Sequence, residues 1–134
     1  MLFETVTAPI TAWRSVMHEE RINLVLPVNL IGSVFRLEVR DHRNGGMLRA
    51  ALDTVSTAAA EGVRIEGVDD LGDGIVRNRI IARFNETTME AMPLNPVDPE
   101  ADHTLVWGMH MTPSGGSKFM AFDGPFIVKA GVPA

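Results

Sequence analysis

At 134 residues the chain is long enough for one domain with its own core, and 46% hydrophobic with 22% charged residues is the balance of a globular protein, not a disordered one. The absence of cysteine excludes disulfides, zinc fingers, iron–sulfur ligation and thiol catalysis together. The net charge is −5 and the twelve Lys and Arg are scattered, densest at Arg36, Arg40 and Arg43, so no concentrated phosphate-binding face and no nucleic-acid partner are expected. No apolar run approaches the ~20 residues of a membrane span, and the opening Met-Leu-Phe-Glu-Thr lacks the basic and apolar segments of a secretory signal. A soluble protein is expected.

In chain order, residues 2–8 are rich in Thr and Val and stop at Pro9, which suits an arm or an edge strand. Ile10, Trp13, Val16 and Met17 then have helical spacing without a clear cap. Residues 1–20 are therefore read as an N-terminal arm or edge segment, and residues 21–134 as the domain proper. Ile22, Leu24, Leu26 and Val28 share one parity against Arg21, Asn23 and Val25, a strand that Pro27 confines to an edge or a terminus. Phe35, Leu37 and Val39 alternate with Arg36, Glu38 and Arg40, and Asn44-Gly45 can take the positive φ angles of a reversal into residues 47–52. That is the clearest hairpin of the chain.

Residues 53–62 predict a loop with one helical turn, closed by Gly62. Val63 and Ile65 begin an alternating strand, Asp69 to Gly74 reads as a turn cluster, and Val76, Ile80, Ala82 and Phe84 mark the returning strand. Thr87-Thr88-Met89-Glu90 fits a capping box, so a short helix is expected near Thr87 to Met92, ended by Pro93. A proline-rich acidic loop follows to Asp102. Leu105, Trp107, Met109 and Met111 then share a face opposite Val106, Gly108 and His110. Pro113 to Gly116 turns the chain, Ser117 to Phe122 returns, Gly124-Pro125 breaks, and Phe126-Ile127-Val128 closes. About seven to eight short strands with little helix predict an all-β fold, an antiparallel β-sandwich of Ig-like or jelly-roll-like type.

Candidate chemistry is sparse. Asp69, Asp70 and Asp73 suggest calcium ligands, but the alternate-position pattern and closing Glu of a calcium loop are missing, and a turn rich in Asp and Gly explains them. His103 and His110 lie seven apart on one strand and face opposite sides. His18 and His42 have no partner at metal-ligand spacing. Ser15, Ser33, Ser56, Ser114 and Ser117 lack a nucleophile-elbow context. Gly72-Asp73-Gly74 and Gly115-Gly116 join strand to strand, so neither is a phosphate-binding loop. Trp13 and Trp107 are the candidates for a sugar-stacking platform, with Trp107, and Met109 and Met111 beside it, favoured as core. No catalytic, cofactor-binding or metal residue is assigned, and no small-molecule substrate is expected.

The order of these segments resembles that of a small β-sandwich found in phage tail and baseplate proteins, the N-terminal domain of phage baseplate upper proteins. The matching pieces are Leu24-Val25-Leu26-Pro27, Gly32-Ser33-Val34-Phe35-Arg36-Leu37-Glu38-Val39-Arg40 and Gly62-Val63-Arg64-Ile65-Glu66, then Thr87 to Pro93, Leu105-Val106-Trp107-Gly108-Met109, Gly115-Gly116-Ser117-Lys118 and Gly124-Pro125-Phe126-Ile127-Val128. The resemblance spans residues 21–132 and rests on the order, since no one motif is specific; the Tyr-Asp-Leu usual near Trp107 is absent. It implies a non-enzymatic virion component: a tail or baseplate adaptor, a fibre or spike attachment, or a decoration. It would assemble in the bacterial host cytoplasm, as a homo-oligomer or with other virion proteins. The alternative is a carbohydrate-binding β-sandwich module recognising a host surface.

Overall fold

The computed structural model describes residues 5–130. The start of the expected arm, residues 1–4, and the last two residues of the family resemblance, 131 and 132, lie outside it. Among the described residues nine strands and one short helix run in the order β1 (Val6–Thr7), β2 (Ile10–Trp13), β3 (His18–Leu26), β4 (Val34–Arg40), β5 (Leu48–Asp53), β6 (Gly62–Gly72), β7 (Ile75–Phe84), α1 (Glu86–Glu90), β8 (His103–Thr112) and β9 (Phe119–Lys129). A larger sheet has the order β1-β9-β8-β4-β5, with β2 also on β9, and a smaller one the order β3-β7-β6. The inner faces of the two sheets share one apolar core, so the fold is an all-β sandwich.

The three expected hairpins form, β4–β5, β6–β7 and β8–β9, all antiparallel. Asn44 and Gly45 take φ of 59° and 94°, the reversal their side chains allow. Phe35, Leu37 and Val39 are buried, as are Leu105, Trp107, Met109 and Met111. β3 stops at Leu26, immediately before Pro27, because proline has no N–H for the ladder. The edges are protected: β6 is bulged twice, at Ile65/Gly67 and Asp70/Gly72, and β3 carries a Glu20–His18 pair at 2.9 Å near its start.

Several local expectations are overturned. Residues 10–20 are two strand segments joined by a turn at residues 14–17, not helix. Ile10 and Ala12 are buried while Trp13, Val16 and Met17 are exposed, so the period-2 signal of Ile10 and Ala12 decides the structure and the 3.6-residue spacing is coincidental. β1 and β2 pair with β9 in parallel at the edge of the larger sheet, and an isolated parallel bridge joins Thr54 to Val63; both depart from an antiparallel sandwich. Residues 53–62 contain no helical turn. Gly62 opens β6 instead, at a point where a Cβ would lie 2.5 Å from the Asp53 carbonyl oxygen and from Val55. The Asp69–Gly74 cluster is mostly ladder, since Gly72 pairs with Ile75 and only Asp73 and Gly74 turn. β9 runs unbroken through Gly124-Pro125. The interruption falls in its neighbour, where Ala8-Pro9 separates β1 from β2. A register shift between Met109 and His110 brings Ala121 and Phe122 both inward, so strict alternation fails there. The capping box also fails. The N-cap is Asn85 and makes no side-chain cap bond, its Oδ1 being taken by Arg83 Nε at 3.1 Å. Glu61 supplies the carboxylate instead, accepting from Asn85 N–H and the Thr88 hydroxyl at 2.6 Å each.

One buried polar side chain ties the smaller sheet to the segment that crosses to the larger. Asn78 on β7 is fully buried. Its Oδ1 accepts the Leu30 N–H at 2.9 Å, and its Nδ2 donates to the Leu24 and Val28 carbonyls at 3.2 and 3.1 Å. Asn78→Ala strands one N–H and two carbonyls in the core, so a loss of about 3 kcal/mol in urea unfolding is expected. A loss under about 0.5 kcal/mol would mean that the crossover is held by Leu30 packing alone.

Candidate functional site

The hairpin arginines meet on the outer face of the larger sheet. The alternation of β4 puts Arg36, Glu38 and Arg40 in one outward row, and β8 contributes Val106, Gly108 and His110 beside it. Gly108 has no side chain to fill the space; a Cβ there would touch Met120 Sδ at 3.3 Å. The result is an open groove of about 220 Å³, lined by Glu38, Arg40, Arg43, His110, Met120 and Asp123 among others.

Its charges are closed on one another. Glu38 accepts from Arg40 at 2.8 Å and from Arg36 at 3.2 Å. Partial burial pushes the Glu38 carboxyl up, but the bonds from Arg40 and Arg36 outweigh it and hold the group below the usual carboxylate range. Asp123 accepts the Thr7 hydroxyl at 2.9 Å and Arg43 at 3.0 Å; both bonds hold it ionised, the hydroxyl more strongly. Arg49 grips Asp41 through two bonds at 2.6 and 2.9 Å and lowers it likewise. A carboxylate stabilised as its anion is a poor proton donor near neutrality.

The other sequence candidates do not converge. Asp69 lies 3.1 Å from Arg79 and 3.8 Å from Arg77, and Asp70 accepts the Gly72 N–H at 2.9 Å. Among the described residues no group of three or more His, Asp or Glu is placed to hold a metal. His18 lies tilted against Phe84 with ring centres 6.3 Å apart and pairs with Glu20, and His42 Nδ1 lies 2.8 Å from the Arg43 carbonyl in the turn. Ser33 is buried at the end of the segment that joins β3 to β4. Trp107 is buried and its indole N–H donates to the Ala8 carbonyl at 2.9 Å, so it is no platform. Trp13 is half exposed, with the Lys129 ammonium 5.8 Å from its ring centre. No described helix is long and apolar enough to cross a membrane.

Reading along the chain missed a second charged face. The register of the smaller sheet gathers Arg21, Arg64, Arg77, Arg79 and Arg83 on its outer side against only Glu19, Glu66 and Asp69. On a chain of net charge −5 this face has two arginines in excess. Ile81, paired with Arg21 on one side and Arg64 on the other, is buried on that face. The missing signal was the register: these arginines come from three strands and become neighbours only when paired.

The fold places the chain among all-β sandwich proteins. No family model matches it, and none of the curated proteins compared is significantly similar to it.

Two measurements follow from this geometry. A carboxylate whose folded pKa is depressed contributes stability that is present above its unfolded pKa of about 4 and is lost as pH falls through the folded value. Stability should therefore hold from neutrality down to about pH 4–5 and decline below it. Asp123→Ala should cost about 1 kcal/mol at pH 7 and flatten that acid decline; an unchanged acid slope would show that the Thr7–Asp123–Arg43 link is thermodynamically silent. Because Asp69 is spent on arginines and Asp70 on its own turn, calcium at millimolar concentration should leave the Tm unmoved, and a clear rise would restore the calcium reading.

Proposed function

We propose that this chain is a non-enzymatic structural subunit of a tailed phage or phage-like particle, working by protein–protein assembly. Its place would be as a tail or baseplate adaptor, a fibre or spike attachment, or a decoration. The observation that carries the reading is the exposure of large apolar side chains on the segments that join strands. Val97 is 92% exposed, Ile31 and Met47 62% each, and Val34, at the start of β4, 59%. Such side chains, held out by a well-packed sandwich, are what a subunit buries against a partner. The ordered resemblance to the sandwich of phage baseplate upper proteins supports the same class, and the self-neutralised groove over Gly108 is consistent with an assembly surface.

The carbohydrate-binding alternative rests on the tryptophans, and with Trp107 in the core only Trp13 remains to serve it. Mass spectrometry of particles purified from the strain that encodes the chain tests the proposal. The chain is expected in them at a fixed ratio to other virion proteins. Its absence from every particle fraction would overturn the reading, and a saturable change of Trp13 emission with one member of a glycan panel would favour the alternative.

A further inference from the structure

Between Phe84 and Ser117 the chain carries no Lys or Arg, and residues 86–102 hold Glu86, Glu90, Asp98, Glu100 and Asp102. This acidic segment is built to hold a shape. Arg14 bonds the Met92 and Glu90 carbonyls at 2.9 and 2.8 Å, and buried Met92 anchors the base of the loop. Asn95 closes it, accepting the Val97 and Asp98 N–H groups at 2.9 and 3.1 Å while donating to the Asp102 carbonyl at 2.9 Å. Pro96 and Pro99 stiffen it further. At its tip stands Val97, the most exposed large apolar side chain described. A preformed loop with an apolar tip and acidic flanks loses little entropy on docking.

A complementary surface exists elsewhere on the chain. A groove of about 510 Å³ is lined by Ile31, Val34, Val55 and Ile65, with Arg64 at its rim. Glu66 also lines it but is held by Arg79 at 3.0 Å and Arg21 at 3.3 Å. Arg64 makes no ion pair or hydrogen bond among the described residues, and it belongs to the face with two excess arginines. The groove thus offers apolar walls and an unspent cation to a ligand with an apolar tip and carboxylates.

Loop and groove cannot meet within one molecule. The loop leads into His103 at one end of β8, and Val34 pairs with Thr112 at the other. Ten residues of strand separate them by about 30 Å. We infer that copies of this chain associate head to tail, the Val97 tip of one seated in the Ile31–Val34 groove of the next, with Asp98 and Glu100 facing Arg64. The contact is heterologous, so its repetition gives a ring if the rotation closes and a filament if it does not. It rests on the assembly reading above and specifies which surfaces of the chain mate.

The experiment is complementation between one-sided variants of the whole chain. Val97→Asp spoils only the tip and Val34→Asp only the groove; both positions are exposed, so thermal melts should match wild type. Wild type should grow in mass with concentration and shrink with added salt, as an ion-assisted contact requires. Each variant alone should associate about a hundredfold more weakly, because an unpaired carboxylate would be pressed into apolar walls or displace the apolar tip. Mixed together they should form a one-to-one heterodimer and nothing larger, through the one intact tip and the one intact groove. Arg64→Glu should weaken association likewise and be rescued by mixing with Asp98→Lys/Glu100→Lys. Wild type that stays monomeric at every concentration, variants that associate as wild type does, or a mixture that stays monomeric would each overturn the contact. Variants that still associate would leave the assembly reading standing, since particle composition tests that reading independently.

Discussion

The indole N–H of Trp107 donates to the Ala8 carbonyl at 2.9 Å, and the construction of the larger sheet depends on that bond. Trp107 belongs to β8 and Ala8 to the gap between β1 and β2, so the bond spans the intervening strand β9. It can do so because the residue of β9 paired with Trp107 is Gly124. A Cβ at Gly124 would lie 2.0 Å from the Ala8 oxygen, so any side chain there would drive the edge away. The bond also satisfies a carbonyl where two prolines, Pro9 and Pro125, have no N–H to offer. With Ala8 held, Ile10 and Ala12 enter the core and Phe126 packs on Phe84 across the sandwich at 5.3 Å. The smaller sheet is secured by a parallel device, Asn78 holding the chain where it crosses between layers. Two satisfied polar side chains in an apolar interior thus set how the two sheets are joined, a task that non-directional burial leaves open.

Much of this was legible wherever one face of a strand is buried and the other wet. Phe35, Leu37 and Val39 against Arg36, Glu38 and Arg40 reads as a strand because the sheet on one side and water on the other impose that period. Legibility failed where the cause lay in another part of the chain. Gly62 reads as a helix stop until Asp53 and Val55 are seen against it. Gly124-Pro125 reads as a break until Ala8-Pro9 is found to carry the break instead. Thr87 reads as a helix cap, yet the stabilising carboxylate at that helix start comes from Glu61. The first twenty residues were hardest, since a two-residue strand and a four-residue strand on a parallel partner leave too few positions for a period to show.

The charged surfaces divide the same way. The row on β4 is local and was visible; its closure, with Glu38 between two arginines and Asp123 between Thr7 and Arg43, needed three-dimensional pairing. The arginine face of the smaller sheet was invisible for a stronger reason. Arg21, Arg64 and Arg79 are separated by more than forty residues between the first two, and only the β3-β7-β6 order makes them neighbours. A composition of twelve scattered cations therefore says little about whether a basic face exists.

Charge is segregated between the outer faces of the two sheets. The outer face of the larger sheet is neutralised internally, so it can approach a partner without leaving buried charges unpaired. The smaller sheet and the segment of residues 86–102 are instead left with opposite excesses, at positions that one molecule cannot bring together. Opposite charge at separated ends favours one orientation of approach and opposes the reverse, since tip against tip would set carboxylates against carboxylates. A charge polarity then follows from the strand order itself: the register that collects arginines on one sheet, and the proline loop that isolates carboxylates before β8, give the chain a polarity that its fold alone does not have.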